Sequence, residues 1–227
     1  MDISNNHLVT YLVLLCLLAG PAQAQITGVN YAWELKRDRN DIKIYTSKVA
    51  GSLFRALRGE MKVSGSVNAL VGLVDDLAAC PHWADLCKQS TLIKKMSPTE
   101  HYVHVVYDIP FPVKDRDLVV HVNWAKEAQS GRVSMHSVAM PAAQSEAFVA
   151  KTKKAVRLHY AVTQWHFTPL ADGMVLVENF AHIDPNGPFP AWLTNLMLVH
   201  SPFKTLQNMR EVIHSGAYAD AAGKLFQ

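Results

Sequence analysis

Hydrophobic and polar positions alternate one by one along most of this chain, the spacing that lets a strand bury one face. The alternation over 31–36 and 41–49, on either side of the polar stretch Arg37-Asp38-Arg39-Asn40, predicts a hairpin. A third strand is predicted over 53–63. Ser64-Gly65-Ser66 breaks the pattern, and Val67, Leu70, Val71, Val74 and Leu77 then recur every third or fourth residue. That period predicts a helix capped by Ser66 and stopped by Pro81. Alternation resumes over 92–96, 101–109, 118–126, 132–140, 156–169 and 173–183, while 141–154 reads as a less regular connection. From Pro190 onward Leu193, Leu196, Met197, His200, Phe203, Leu206, Met209 and Ile213 fall on one face of a last helix. Pro202 inside it removes a backbone donor, which predicts a kink and a hinge over 199–202. Three strands, a helix, about six antiparallel strands and a long helix make an α+β fold. In it a strongly curved antiparallel sheet wraps around the C-terminal helix and leaves a hydrophobic cavity between them.

The first residues have a different pattern. An unbroken apolar run covers 8–19, too short to span a bilayer comfortably, followed by Gly20-Pro21 and the small-x-small site Ala22-Gln23-Ala24. Residues 1–24 are therefore expected to be a signal peptide, although no Lys or Arg precedes Leu8. An uncleaved anchor is the alternative. The folded domain is then expected over 25–215, with a weakly ordered tail over 216–227. Export to a periplasmic or secreted location follows, and it bears on the cysteines. Cys16 leaves with the signal, while Cys80 and Cys87 remain in an oxidising compartment and invite a disulfide, with two small buried thiols as the alternative.

Charge narrows the picture by exclusion. The formal net charge is +3 with the basic residues scattered, and no basic–aromatic block points to nucleic acid. The Lys/Arg clusters fit solvated faces, with weak attraction to an anionic membrane surface as the functional alternative. There is no His-Glu-x-x-His, no Gly-x-Ser-x-Gly and no glycine-rich phosphate loop. No catalytic residue, metal ligand or cofactor is predicted, and the protein is not expected to be an enzyme.

Two segments stand out against this background. Phe111-Pro112-Val113-Lys114-Asp115-Arg116-Asp117 precedes a strand, and Asp184-Pro185-Asn186-Gly187-Pro188-Phe189-Pro190-Ala191-Trp192-Leu193 opens the last helix. They suggest a gate loop and a helical lid over a hydrophobic cup. Leu118, Val120, Val122 and Trp124 share one strand face and form a candidate cavity wall, as do Leu158, Tyr160 and Val162. Phe111 and Val113 suit an exposed tip that dips into a bilayer. Arg116, between Asp115 and Asp117, reads first as a fold-stabilising ion pair and second as a headgroup contact.

The same residues resemble the START family of lipid-transfer domains. Trp33-Glu34-Leu35 followed by Asp41-Ile42-Lys43-Ile44-Tyr45 is similar to its opening hairpin, Trp83 to the segment after its first helix, and Arg116-Asp117 to its Arg-Asp pair. Trp165, Pro169, Gly173, Asp184-Pro185-x-Gly187, Pro190-x-Trp192, Asn195, Pro202, Leu206 and Arg210 continue the match. The resemblance implies the helix-grip fold and a cavity for one lipid, gated by 109–115 and 190–213. It implies lipid contacts from Leu118, Val120, Val122, Trp124, Tyr160, Leu193, Met197 and His200. Gate or lid roles fall to Phe111, Val113, Arg116, Pro190, Trp192 and Pro202. Sterol-binding members carry a buried Arg and an acidic partner where this chain has Val122 and Val103, so a different lipid or a different anchor is implied. The expected ligand is a phospholipid, fatty acid or sterol-like molecule, carried through water by a monomer that touches membranes transiently. An acyl chain of ~16 carbons costs about 13 kcal/mol to expose at ~0.8 kcal/mol per CH₂, which is why a carrier is needed. A polyketide cyclase or aromatase on the same fold and a small-molecule sensor are the alternatives.

Overall fold

A computed structural model describes residues 30–187, 189–221 and 224–226; the expected signal segment lies outside them. The opening hairpin pairs β1 (Glu34–Arg39) with β2 (Ile42–Ser47). Its turn falls at Asn40 and Asp41, whose φ values are 54° and 57°, later than the four-residue stretch predicted. Short polar side chains tolerate that left-handed region, which suits a two-residue hairpin turn. β3 (Ala56–Ser64) follows, and α1 (Val67–Asp75) is capped as expected, the Ala69 N–H donating to Ser66 Oγ at 3.0 Å. The helix does not run on to Pro81. Asp76 accepts from the Ala78 and Ala79 N–H groups and starts a short 3-10 turn over Leu77–Ala79. Pro81 then sits in the first turn of α2 (Cys80–Trp83), where a missing N–H costs nothing.

The long strands β4 (Cys87–Ser97), β5 (Glu100–Tyr107), β6 (Asp115–Lys126) and β7 (Val133–Ala139) come next. The expected irregular connection contains α3 (Ala142–Phe148), which lies on the outer face of the sheet, where Phe148 stacks on Tyr102 at 5.5 Å. One long strand was expected over 156–169; there are two, β8 (Ala155–Arg157) and β9 (Tyr160–Pro169), and β8 pairs parallel with the start of β6. β10 (Met174–Asp184) completes a sheet ordered β1-β2-β3-β10-β9-β7-β6-β5-β4. All pairings along that order are antiparallel.

The last helix has three parts: α4 (Ala191–Asn195), a widened π-turn (Leu196–His200) and α5 (Ser201–His214). Pro202 explains the middle part. It has no N–H to give the fourth carbonyl back, and the Ser201 N–H before it bonds to Leu196 O across five residues. Behind this point Phe203, Leu206, Met209 and Ile213 enter the core with Ile42, Ile44, Met61 and Val63 of the first strands. Gly59 on β3 makes room, since a Cβ there would lie 2.9 Å from Leu206 Cδ1. The described part of the tail packs against α1. Tyr218 donates its hydroxyl to Asp76 Oδ2 at 2.9 Å and Leu225 is buried. It lies so close to α1 that a Cβ on Gly72 would sit 2.8 Å from the Ala221 Cβ.

Candidate functional site: a lidded cavity

The concave face of the sheet does not fill completely. A hollow of about 240 Å³ opens beside the front of the last helix, and a second of about 280 Å³ adjoins it under the loop before β3. Leu57, Ala181, Ile183, Pro185 and Met197 line both, so they form one bent space. Together they reach the about 300–1,000 Å³ typical of ligand sites. Strand parity builds the wall. Leu118, Val120, Val122 and Trp124 of β6 face inward, with Val103 and Val105 of β5 beside them. Ala161, Thr163 and Trp165 of β9 supply the opposite side, and α2 contributes Trp83.

The structure brings together most of the residues the sequence singled out, and it separates some. Leu118, Val120, Val122, Trp124, Met197, Arg116 and Pro202 all line the hollow. Leu158 does too, but Tyr160 points outward and is 46% exposed. The gap between β8 and β9 shifts the alternation by one residue, so Ala161 takes the inward place expected for Tyr160 and Val162. Leu193 is fully buried without lining either hollow. His200 is exposed, because the extra residue in the π-turn rotates it off the inward face and sets Ser201 there. Around the mouth, Phe111 is 93% exposed, Pro190 and Trp192 are exposed, and Val113 is half-buried. Leu53, which pattern reading passed over, projects beside the second hollow at 97% exposure.

The ion pair expected at Arg116 does not form. Its neighbours are committed elsewhere: Asp115 to Lys88 at 2.9 Å, and Asp117 to Arg157 at 2.7 Å and His104 at 2.9 Å. Parallel pairing of β6 with β8 sets Arg157 directly beside Asp117. Burial alone would raise the Asp117 carboxyl, but the hydrogen bonds and charges of His104 and Arg157 outweigh it and hold it down at about 2. Arg116, only 4% exposed, instead donates Nε–H to Pro185 O at 2.8 Å and Nη1–H to Lys114 O at 2.6 Å. Its guanidinium lies 4.5 Å from the Phe189 ring centre. It thus ties the start of β6 to the loop that leads into the last helix.

Pattern reading missed the cavity's polar features. Asp75, at the end of α1, and His101 of β5 face each other there at 3.8 Å. Burial raises the Asp75 pKa and lowers that of His101, favouring the neutral form of each. The indole Nε1–H groups of Trp83 and Trp124 are buried with no hydrogen-bond partner among the described residues. Only the tertiary register puts α1, β5 and α2 side by side, so no local signal in the sequence marks these groups. Val122 and Val103, standing where sterol binders carry a charged pair, are buried and apolar. Cys80 and Cys87 are joined as a disulfide with Cα atoms 6.0 Å apart, which clamps α2, and with it Trp83, to the start of β4.

Comparison with known proteins agrees with this architecture. The START domain family matches residues 22–216. An uncharacterized protein of Pseudomonas aeruginosa is 30% identical over 178 residues, covering 78% of this chain and 85% of that one. A STAR-related lipid transfer protein from Xanthomonas axonopodis superposes with a TM-score of 0.70 at 33% identity, over 80% of this chain and 98% of the other. Human StAR-related lipid transfer protein 5 superposes with a TM-score of 0.68 at 16% identity, over 82% and 88%, a likeness of fold. With its helix-grip sheet, its long C-terminal helix and this match along most of its length, the chain belongs to the START domain family.

Proposed function

We propose that this protein binds one lipid in its cavity and carries it through an aqueous compartment from one membrane to another. The observation that carries the reading is the apolar hollow walled by β5, β6 and β9 and closed by the front of the last helix. Such a space replaces water around an acyl chain at about 25 cal/mol per Å² of apolar surface, so the ligand loses little on leaving a bilayer. The resemblance to a STAR-related lipid transfer protein supports the same reading. The 109–115 loop and the front of the last helix act as the gate. Phe111, Leu53 and Trp192, exposed around the mouth, make the transient membrane contact. The protein works as an exported monomer, and the Cys80–Cys87 bridge fits an oxidising compartment.

Native mass spectrometry of the purified protein, followed by a liposome-to-liposome transfer assay with fluorescent lipids, tests this. The expected result is one lipid per chain and transfer that rises with protein concentration. A protein that carries no lipid, takes none up from vesicles and leaves the transfer rate at its spontaneous value would refute the proposal.

A further inference from the structure

Among the described residues that line the main hollow, Arg116 is the one arginine or lysine. It is 4% exposed and lines the main hollow. Its Nε–H and Nη1–H groups are used by the carbonyls of Pro185 and Lys114. Nη2 makes no hydrogen bond among the described residues, and no carboxylate among them lies within ion-pair distance of the guanidinium. Carbonyls hold the group in place without neutralising it. The other buried arginine of this region shows the contrast, since Arg157 gives two hydrogen bonds to Asp117. Two acidic residues among those described line the main hollow, and both have partners: Asp85 pairs with Lys204 at 3.2 Å, and Asp75 belongs with His101. His101 pairs with Val122 on β6, six strand positions from Arg116, about 20 Å along the strand. A guanidinium stays charged even when buried, and a buried charge without a counter-charge costs several kcal/mol. Pro185, the acceptor of its Nε–H, lines both hollows, and Phe189 beneath the guanidinium lines the second. Arg116 therefore stands where the two spaces meet, just inside the lid.

We infer that Arg116 is the anchor for an anionic headgroup, a carboxylate or phosphate at the polar end of the lipid. This deepens the carrier reading and rests on it. The planar fork of the guanidinium suits the paired oxygens of either anion. The ligand supplies the missing counter-charge, so the site selects acidic lipids over neutral lipids of the same chain length.

The test compares matched lipids on the delipidated full chain, read by titration calorimetry and by the fluorescence of the tryptophans that line the hollow. Palmitate is set against methyl palmitate, and phosphatidic acid against diacylglycerol. The expected result is about tenfold tighter binding of the acidic member in at least one pair, roughly 1.4 kcal/mol. Arg116→Gln brings the acidic and neutral members to equal affinity, and Arg116→Lys keeps part of the preference. The wild-type comparison stands even if Arg116→Gln does not fold. Equal affinities within both pairs overturn the anchor and leave the carrier reading intact, as does a folded Arg116→Gln that loses acid and ester alike. Binding of none of the four lipids overturns the carrier reading and the anchor together.

Discussion

Asp117→Asn is the perturbation whose size the structure defines most closely. Asp117 Oδ2 accepts from Arg157 Nε at 2.9 Å and Nη2 at 2.7 Å, and bonds His104 Nε2 at 2.9 Å. Asparagine keeps the shape and removes the charge. Arg157, 3% exposed, is left with only Ser145 Oγ at 3.2 Å and Val149 O at 3.3 Å. Orphaning one member of a buried pair costs about 3–5 kcal/mol. The carboxyl itself gives a second figure. It titrates at about 2 instead of 3.8, and at about 1.4 kcal/mol per decade this amounts to about 2.5 kcal/mol. The loss at pH 7 should therefore fall between about 2.5 and 5 kcal/mol, a melting point lower by about 5–20 °C for a domain of this size. The sign with pH is fixed as well. A lowered carboxylate pKa adds stability that is complete above the unfolded value near 3.8 and is lost as pH falls toward 2. The gap between wild type and variant should narrow from pH 5 to pH 2. Urea unfolding followed by far-ultraviolet circular dichroism measures it. A gap below about 1 kcal/mol at pH 7, or one that does not narrow in acid, would refute the reasoning.

Two further outcomes are expected. Cys80→Ser with Cys87→Ser opens a short loop and should cost about 2–3 kcal/mol; an unchanged urea midpoint, matched by wild type insensitive to reductant, would show that the clamp adds nothing. Leu53→Asp with Phe111→Asp removes two exposed side chains at the mouth, each worth about 1.5–3 kcal/mol when buried in a bilayer. Vesicle co-flotation should fall at least about tenfold while lipid binding in solution is retained, and unaltered co-flotation would rule out these contacts.

Local pattern carried the architecture and failed wherever register or neighbours decided. The inward row Leu118, Val120, Val122 and Trp124 follows from alternation on one unbroken strand, and Ser66 as a cap follows from its place before a helical period. Tyr160 went astray because the gap after β8 resets parity, and His200 because the π-turn adds a residue that a 3.6-residue period cannot foresee. Pro202 marked that irregularity, whose form is a widened π-turn. Adjacent aspartates made an ion pair the natural expectation for Arg116, yet Lys88 and Arg157, brought in by β4 and β8, claim both. Asp75 and His101 carry no local mark at all, since their encounter depends on how α1 lies across β5.

The π-turn also divides the last helix energetically. Everything behind Ser201 is sewn into the central packing by Phe203, Leu206, Met209 and Ile213, with Leu206 pressed onto Gly59. Of the described residues ahead of it, Leu193 is buried and Leu196, Met197, Leu198 and Val199 are half-buried, and the segment joins the rear through the π-turn. In the gating proposed above, it is this forward segment that would unlatch, at a free-energy cost set by its own contacts, while the rear keeps the domain folded.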